Sequence, residues 1–217
     1  MPCNLCARWH ARLLKKSHAW ERAHSNDSEL WSEEGLRNRE LIEQAYARFK
    51  TDPAASFRLY LEAAEAGSAW AMEEVALQYA TGTAVAADLE KAQEYYARAI
   101  GAGSWRATLQ YARFLAEHDR HDECESVLED GVASDFVPAC FWLARLRYER
   151  CQSRKLCPEI RPMLEHAAGK GHPEAQVLLG RLMVRGKFGL REIPAGIKLA
   201  VQMAFEAARD AQEDDGD

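Results

Sequence analysis

A glycine-punctuated pair of amphipathic helices recurs about every 36 residues, and no other feature restricts the fold so strongly. From Gly67 to Gly103, 36 residues apart, the chain reads GSAWAMEEVALQYATGTAVAADLEKAQEYYARAIGAG. Ala71, Val75, Ala76 and Tyr79 fall at helical spacing on one stripe, and Ala92, Tyr95, Tyr96, Ala99 and Ile100 on a second. Gly82 suits a left-handed end for the first helix, and Asp88 an N-cap for the second. Gly67 and Gly103 then close the second helix of successive pairs. A single helical hairpin cannot bury its apolar face alone, so such a sequence has to stack its units.

The pattern continues along the chain. After Gly103 the first-helix positions are Ala107, Tyr111, Ala112 and Leu115, and the second-helix positions Cys124, Val127, Leu128 and Gly131. Asp135 stands where a glycine is expected, 32 residues after Gly103, because the loop EHDRHD is shortened and lacks glycine. Ala139, Leu143 and Ala144 open the next unit. Ile160, Met163, Leu164, Ala167 and Ala168 close it before Gly171, 36 residues after Asp135. A last unit begins GHPEAQVLLGRLMVRG, with Ala175, Leu179, Gly180 and Gly186, and its second helix carries Ala200, Met203, Ala204, Ala207 and Ala208. Ahead of the complete units, residues 36–50, with Leu41, Ile42, Ala45, Tyr46 and Phe49 apolar, predict a helix pairing with 53–66. Two helices per unit give about ten or eleven helices.

These residues resemble the Sel1-like repeat, a relative of the tetratricopeptide repeat with a glycine-bearing loop between its helices. The unit from Gly67 matches at Gly67, Ala71, Val75, Ala76, Tyr79, Gly82, Val85, Asp88, Lys91, Ala92, Tyr95, Tyr96 and Ala99, and the resemblance covers roughly residues 53–208. Ala84 replaces a loop glycine, Arg147 a tyrosine, and KFGLREIP carries an insertion. The resemblance implies an all-α, right-handed α-solenoid of antiparallel helix pairs, an adaptor role, and partners held on a concave face lined by the first helices. It also suggests a bacterial protein.

Three segments follow: a basic helical segment over 1–34, the repeat array over 35–209, and an acidic tail over 210–217. The net charge of −6 argues against nucleic acid, since only Arg8, Arg12, Lys15, Lys16 and Arg22 form a basic stretch. No run of apolar residues is long enough to span a bilayer, and the start lacks a secretory h-region. A cytoplasmic location is therefore expected, with the six cysteines reduced.

On the first helices the positions expected to face a partner are Trp70, Glu73, Glu74 and Gln78, then Trp105, Arg106, Gln110 and Arg113, then Arg145, and finally Gln176 and Arg181. Their charge shifts from acidic to basic, which suits orienting an extended peptide or a helix. The same residues also fit plain solvated helix faces. Trp70, Trp105, Phe136, Phe141 and Trp142 sit near unit boundaries, where aromatics serve as binding anchors or as filler between hairpins, and Trp70 and Trp105 fall between stripe positions.

Cys3 and Cys6, with His10, His18 and His24 behind them, offer metal or dithiol ligands but lack the second pair of a zinc ribbon. Trp9, Leu13, Leu14 and Trp20 place an apolar side on the basic helix, which suits docking on the first repeat or contact with an anionic surface. Cys124 and Cys140 lie at or beside core stripes, whereas Cys151 and Cys157 flank the loop QSRKL. No nucleophile elbow, phosphate loop, S-x-x-K or K-T-G arrangement occurs, so neither catalysis nor a cofactor is expected. The favoured function is a protein-binding scaffold. The alternatives are a metal- or thiol-responsive regulator built on Cys3 and Cys6, and an accessory factor for envelope or polysaccharide work.

Overall fold

The computed structural model describes residues 4–151 and 157–214. Twelve α-helices and one 3₁₀ turn occur in them, and no strand: α1 (Asn4–Ala23), α2 (Asp27–Glu33), α3 (Leu36–Arg48), α4 (Pro53–Glu65), α5 (Ala69–Thr81), α6 (Leu89–Gly101), α7 (Trp105–Glu117), α8 (His121–Ala133), α9 (Val137–Arg150), α10 (Ile160–Gly169), α11 (Pro173–Val184) and α12 (Ile193–Asp214). No described helix is long and apolar enough to cross a membrane.

The chain divides into two compact units, Ser25–Ala133 and Met1–His24 with Ser134–Asp217. In the first, α3 pairs with α4, α5 with α6 and α7 with α8, while α4 stacks on α5 and α6 on α7. In the second, α9 pairs with α10 and α11 with α12, and α10 stacks on α11. The expected hairpins are present. The count exceeds ten or eleven because residues 1–34 contribute two separate helices, and α12 runs on through Asp214.

One local device repeats at the hairpin boundaries. Gly67, Gly103 and Gly171 adopt φ of 98°, 91° and 92°, so each preceding helix ends in a left-handed residue. The residue after each glycine donates its backbone N–H to a carbonyl five residues back: Ser68 to Ala63 (3.1 Å), Ser104 to Ala99 (3.0 Å) and His172 to Ala167 (3.0 Å). That same residue then caps the next helix with its side chain, accepting from Ala71 N (3.2 Å), Ala107 N (3.1 Å) and Ala175 N (3.3 Å) respectively. Asp88 caps α6 as expected, accepting from Lys91 N at 3.1 Å.

Asp135 takes the glycine's left-handed conformation at φ 59°, and Asp119 does the same at φ 58° in the loop that has no glycine. Aspartate tolerates this region better than most residues. Gly82 and Gly186, at φ 68° and 66°, end α5 and α11.

Alanine sets the helix spacing. Ala71, Ala92, Ala107, Ala139 and Ala175 are all 0% exposed, and Tyr96 on α6 is 2% exposed. Tyr79, on the same stripe, is only half-buried and stacks on Tyr95 with ring centroids 6.0 Å apart. Gly180 lies inside α11, where a side chain would meet Leu199 of α12. The expected stripe on α3 is half right: Ile42 and Ala45 are buried, but Tyr46 is 76% exposed.

Candidate interaction site at the first-helix starts

The unit Ser25–Ala133 centres its polar chemistry on Arg106, in the first turn of α7. The Arg106 Nε donates to Glu73 Oε1 at 2.5 Å, Nη1 lies 3.4 Å from Asp27 Oδ2, and Nη2 lies 3.5 Å from Glu74 Oε1. Its guanidinium also lies over the Trp70 ring, 5.5 Å from the centroid. Gln110 donates to Glu73 as well, and Ser104 Oγ donates to Glu73 Oε2 at 3.3 Å.

Glu73 is 1% exposed, and burial pushes its carboxyl up to about 7 against the opposing pull of Arg106. Glu74 is raised for the same reason. Gln78, one turn beyond Glu74, is also 1% exposed, and neither polar atom of its amide makes a hydrogen bond.

This corrects the expectation that Glu73, Glu74 and Gln78 form an exposed acidic patch. Glu73 and Gln78 are buried, and Glu74 is half-buried against a cation. The cause is that α5 packs against α2, α4, α6 and α7, so few of its faces reach solvent. The acidic and basic residues of α5 and α7 therefore interlock instead of segregating. Trp70, Trp105, Gln110 and Arg113 are all half-buried.

The short helix α2 and the residue before it lie over these helix starts. Asn26 donates to Gly103 O at 2.7 Å and accepts from Trp105 N at 3.0 Å. Trp31 meets Trp70 edge-on at 6.2 Å, and Ser68 Oγ donates to Glu34 Oε2 at 2.6 Å. A cleft of about 480 Å³ opens beside them, lined by Trp31, Ile42, Tyr46 and Trp70 among others.

In the other unit α1 packs against α11, whereas the sequence suited it to docking on the first repeat or to an anionic surface. Among its described side chains, Leu13, Ser17 and Glu21 are buried, at 8%, 0% and 5% exposure. Ser17 Oγ accepts from Glu174 N (3.2 Å) in the first turn of α11. Glu21 Oε1 accepts from Trp142 Nε1 (2.6 Å) and lies 3.5 Å from His172 Nε2. His172 is itself 0% exposed, between Trp20 and Phe141. Arg145 covers the Trp142 ring at 5.2 Å and approaches Glu174 at 3.6 Å, a second arginine–tryptophan–glutamate group like that of Arg106. Gln176 Nε2 donates to Ala168 O at 3.2 Å, and Arg181 is exposed.

Sequence comparison finds no matching family model and no matching curated protein. Structure comparison is decisive. A protective antigen of uropathogenic Escherichia coli strains, displaying an SLR fold, matches 78% of this chain at 19% identity with a TM-score of 0.66. The fold is that of the Sel1-like repeat. A Sel1 repeat protein from Oxalobacter formigenes matches 76% of this chain and 72% of its own at 17% identity, TM-score 0.59. This chain spans only 38% of the E. coli antigen's length.

Within the Sel1-like units the filler role of the boundary aromatics holds for Phe136 and Phe141, each 1% exposed. Cys124 and Cys140 are buried, as their stripe positions imply. Cys3 lies outside the described residues, Cys6 stands in the first turn of α1, and no cluster of three or more His, Cys, Asp or Glu suited to a metal occurs among the described residues. Cys151 and Cys157 bring their Sγ atoms to 3.2 Å. The sequence signal missed was the polar content of residues 13–34. Leu13, Ser17 and Glu21 share a helical face at i, i+4, i+8, and Asn26, Asp27 and Glu34 match donors at the Sel1-like helix starts. None of this shows as an apolar stripe.

Proposed function

We propose that this Sel1-like repeat protein is a non-catalytic scaffold that binds a protein or peptide at the starts of its first helices. The observation that carries the proposal is the Trp70–Arg106 pair: a half-buried tryptophan under a guanidinium, beside a cleft of about 480 Å³. Tryptophan and arginine are the side chains most enriched where a few residues supply most of an interface's energy, and clefts of this size accept one or two anchoring side chains. Glu73, Glu74 and Gln110 contribute by fixing Arg106 and not by contact with a partner. Trp105 and Arg113 belong to the same proposed surface, and Arg145, Gln176 and Arg181 to a second one in the other unit.

Selection from a displayed random-peptide library tests this. The immobilised full chain should enrich a family of peptides whose binding falls at least tenfold when Trp70 is replaced by Leu, with helicity unchanged by circular dichroism. No enrichment over an unrelated helical repeat protein would overturn the proposal.

A further inference from the structure

The contacts of Ser25–Glu34 are those of a bound peptide more than those of a core element. α2 has seven residues and none of them is buried. A helix that short is not stable by itself, so it is held by what it touches. Asn26 uses both ends of its amide on the backbone at Gly103 and Trp105, Asp27 faces Arg106, Trp31 packs on Trp70, and Glu34 accepts from Ser68 Oγ. Four side chains of one short segment thus engage the starts of α5 and α7, through backbone groups, a cation and an aromatic face.

The fit is incomplete. Buried polar atoms at this junction make no hydrogen bond: Asp27 Oδ1 and Gln110 Oε1. Such atoms destabilise a packed interface when left unsatisfied. A better-matched ligand of the same chemistry gains what this segment leaves unused, and the neighbouring cleft at Tyr46 and Ile42 gives it further apolar surface.

We propose that residues 25–34 are an intramolecular stand-in for a ligand, and that the surface they cover on α5 and α7 receives in trans an acidic peptide bearing Asn-Asp followed by an aromatic residue four positions after the Asp. The inference rests on the protein-binding function proposed above and names its ligand class. The tethered segment occupies its site at high effective concentration. It lowers the apparent affinity for any external peptide by the fraction of time the site is open.

The test uses the full chain and a fluorescein-labelled peptide SNDSELWSEE, identical to residues 25–34, with binding read by fluorescence anisotropy. The double variant Asn26→Ala/Trp31→Ala removes side chains of the segment and none of α5 or α7. It should bind the peptide about tenfold or more tighter than wild type does. A peptide with alanine at its Asn and Trp should bind that variant at least tenfold more weakly, and added salt should weaken binding through the Asp–Arg106 contact.

The proposal is overturned if the variant keeps its helicity yet binds no better than wild type, or does not distinguish the two peptides. Should the double variant lose helicity, Asn26→Ala alone, which deletes one exposed and one half-buried hydrogen bond, serves in its place under the same two criteria. Library selection yielding peptides without the acidic and aromatic pattern would overturn this inference while leaving the scaffold function intact.

Discussion

Glu73 is a carboxyl group with almost no solvent, held by Arg106, Gln110 and Ser104. Because its folded pKa of about 7 lies above the unfolded value near 4.5, the folded chain keeps this proton over a window in which the unfolded chain has lost it. Stability therefore falls as pH rises from about 4.5 to 7 and is flat above that. Replacing Glu73 by Gln should remove this slope: the difference in unfolding free energy between wild type and variant, from urea titrations at pH 5 and pH 8, should change by roughly 2.5 kcal/mol. A difference independent of pH would mean that Glu73 is ionised throughout.

Gly103 makes the opposite kind of point, since nothing lies within 4 Å of where its side chain would be, yet φ is 91°. Gly103→Val meets no neighbour and still has to adopt a backbone conformation that a β-branched residue disfavours, a cost of about 2 kcal/mol. Unchanged thermal stability would show that another residue can close α6.

At the scale of helices, α1 is attached by polar contacts set in an apolar seam. Glu21→Ala removes an acceptor for the half-buried Trp142 Nε1 and the carboxylate facing the buried His172, at a cost of about 2 kcal/mol. Hydrogen exchange should then accelerate in α1 first, with α9 and α10 less affected. Equal acceleration in all three would mean that α1 does not open separately from the hairpin.

The hairpin α11–α12 depends on a close approach. A methyl group on Gly196 would fall 2.6 Å from Met183 Cβ and 2.8 Å from Val184 N. Gly196→Ala therefore separates the helices and costs about 1–3 kcal/mol. By contrast the outer side of α12 leaves Ile197, Val201 and Phe205 at 50%, 49% and 73% exposure.

Over the whole molecule, helical repeats couple chiefly to their neighbours. Exchange measured on Gly196→Ala should accelerate in α11 and α12 and stay at wild-type rates in α3 to α6. Acceleration throughout would mean a single cooperative block and would contradict nearest-neighbour stability.

The fold was legible in the sequence because period, glycine and cap are local properties. Gly67–Ser68, Gly103–Ser104 and Gly171–His172 specify where a hairpin ends and the next begins whatever surrounds them, and even the irregular boundary at Asp135 keeps its left-handed residue. Burial was less legible. The spacing of Glu73 and Gln78 marks a side of α5 but not how many helices surround it, and only packing on α2, α4, α6 and α7 made that side interior. The sequence showed that the basic helix had an apolar side to dock but not where, because a polar side chain such as Asn26 or Glu21 finds its partner by position in space. The sequence by itself determined the helices and their pairing, through hydrogen bonds and stripes that act within one hairpin. The tertiary structure decided which polar groups are buried together, since their energy depends on solvent excluded by residues far away in the chain.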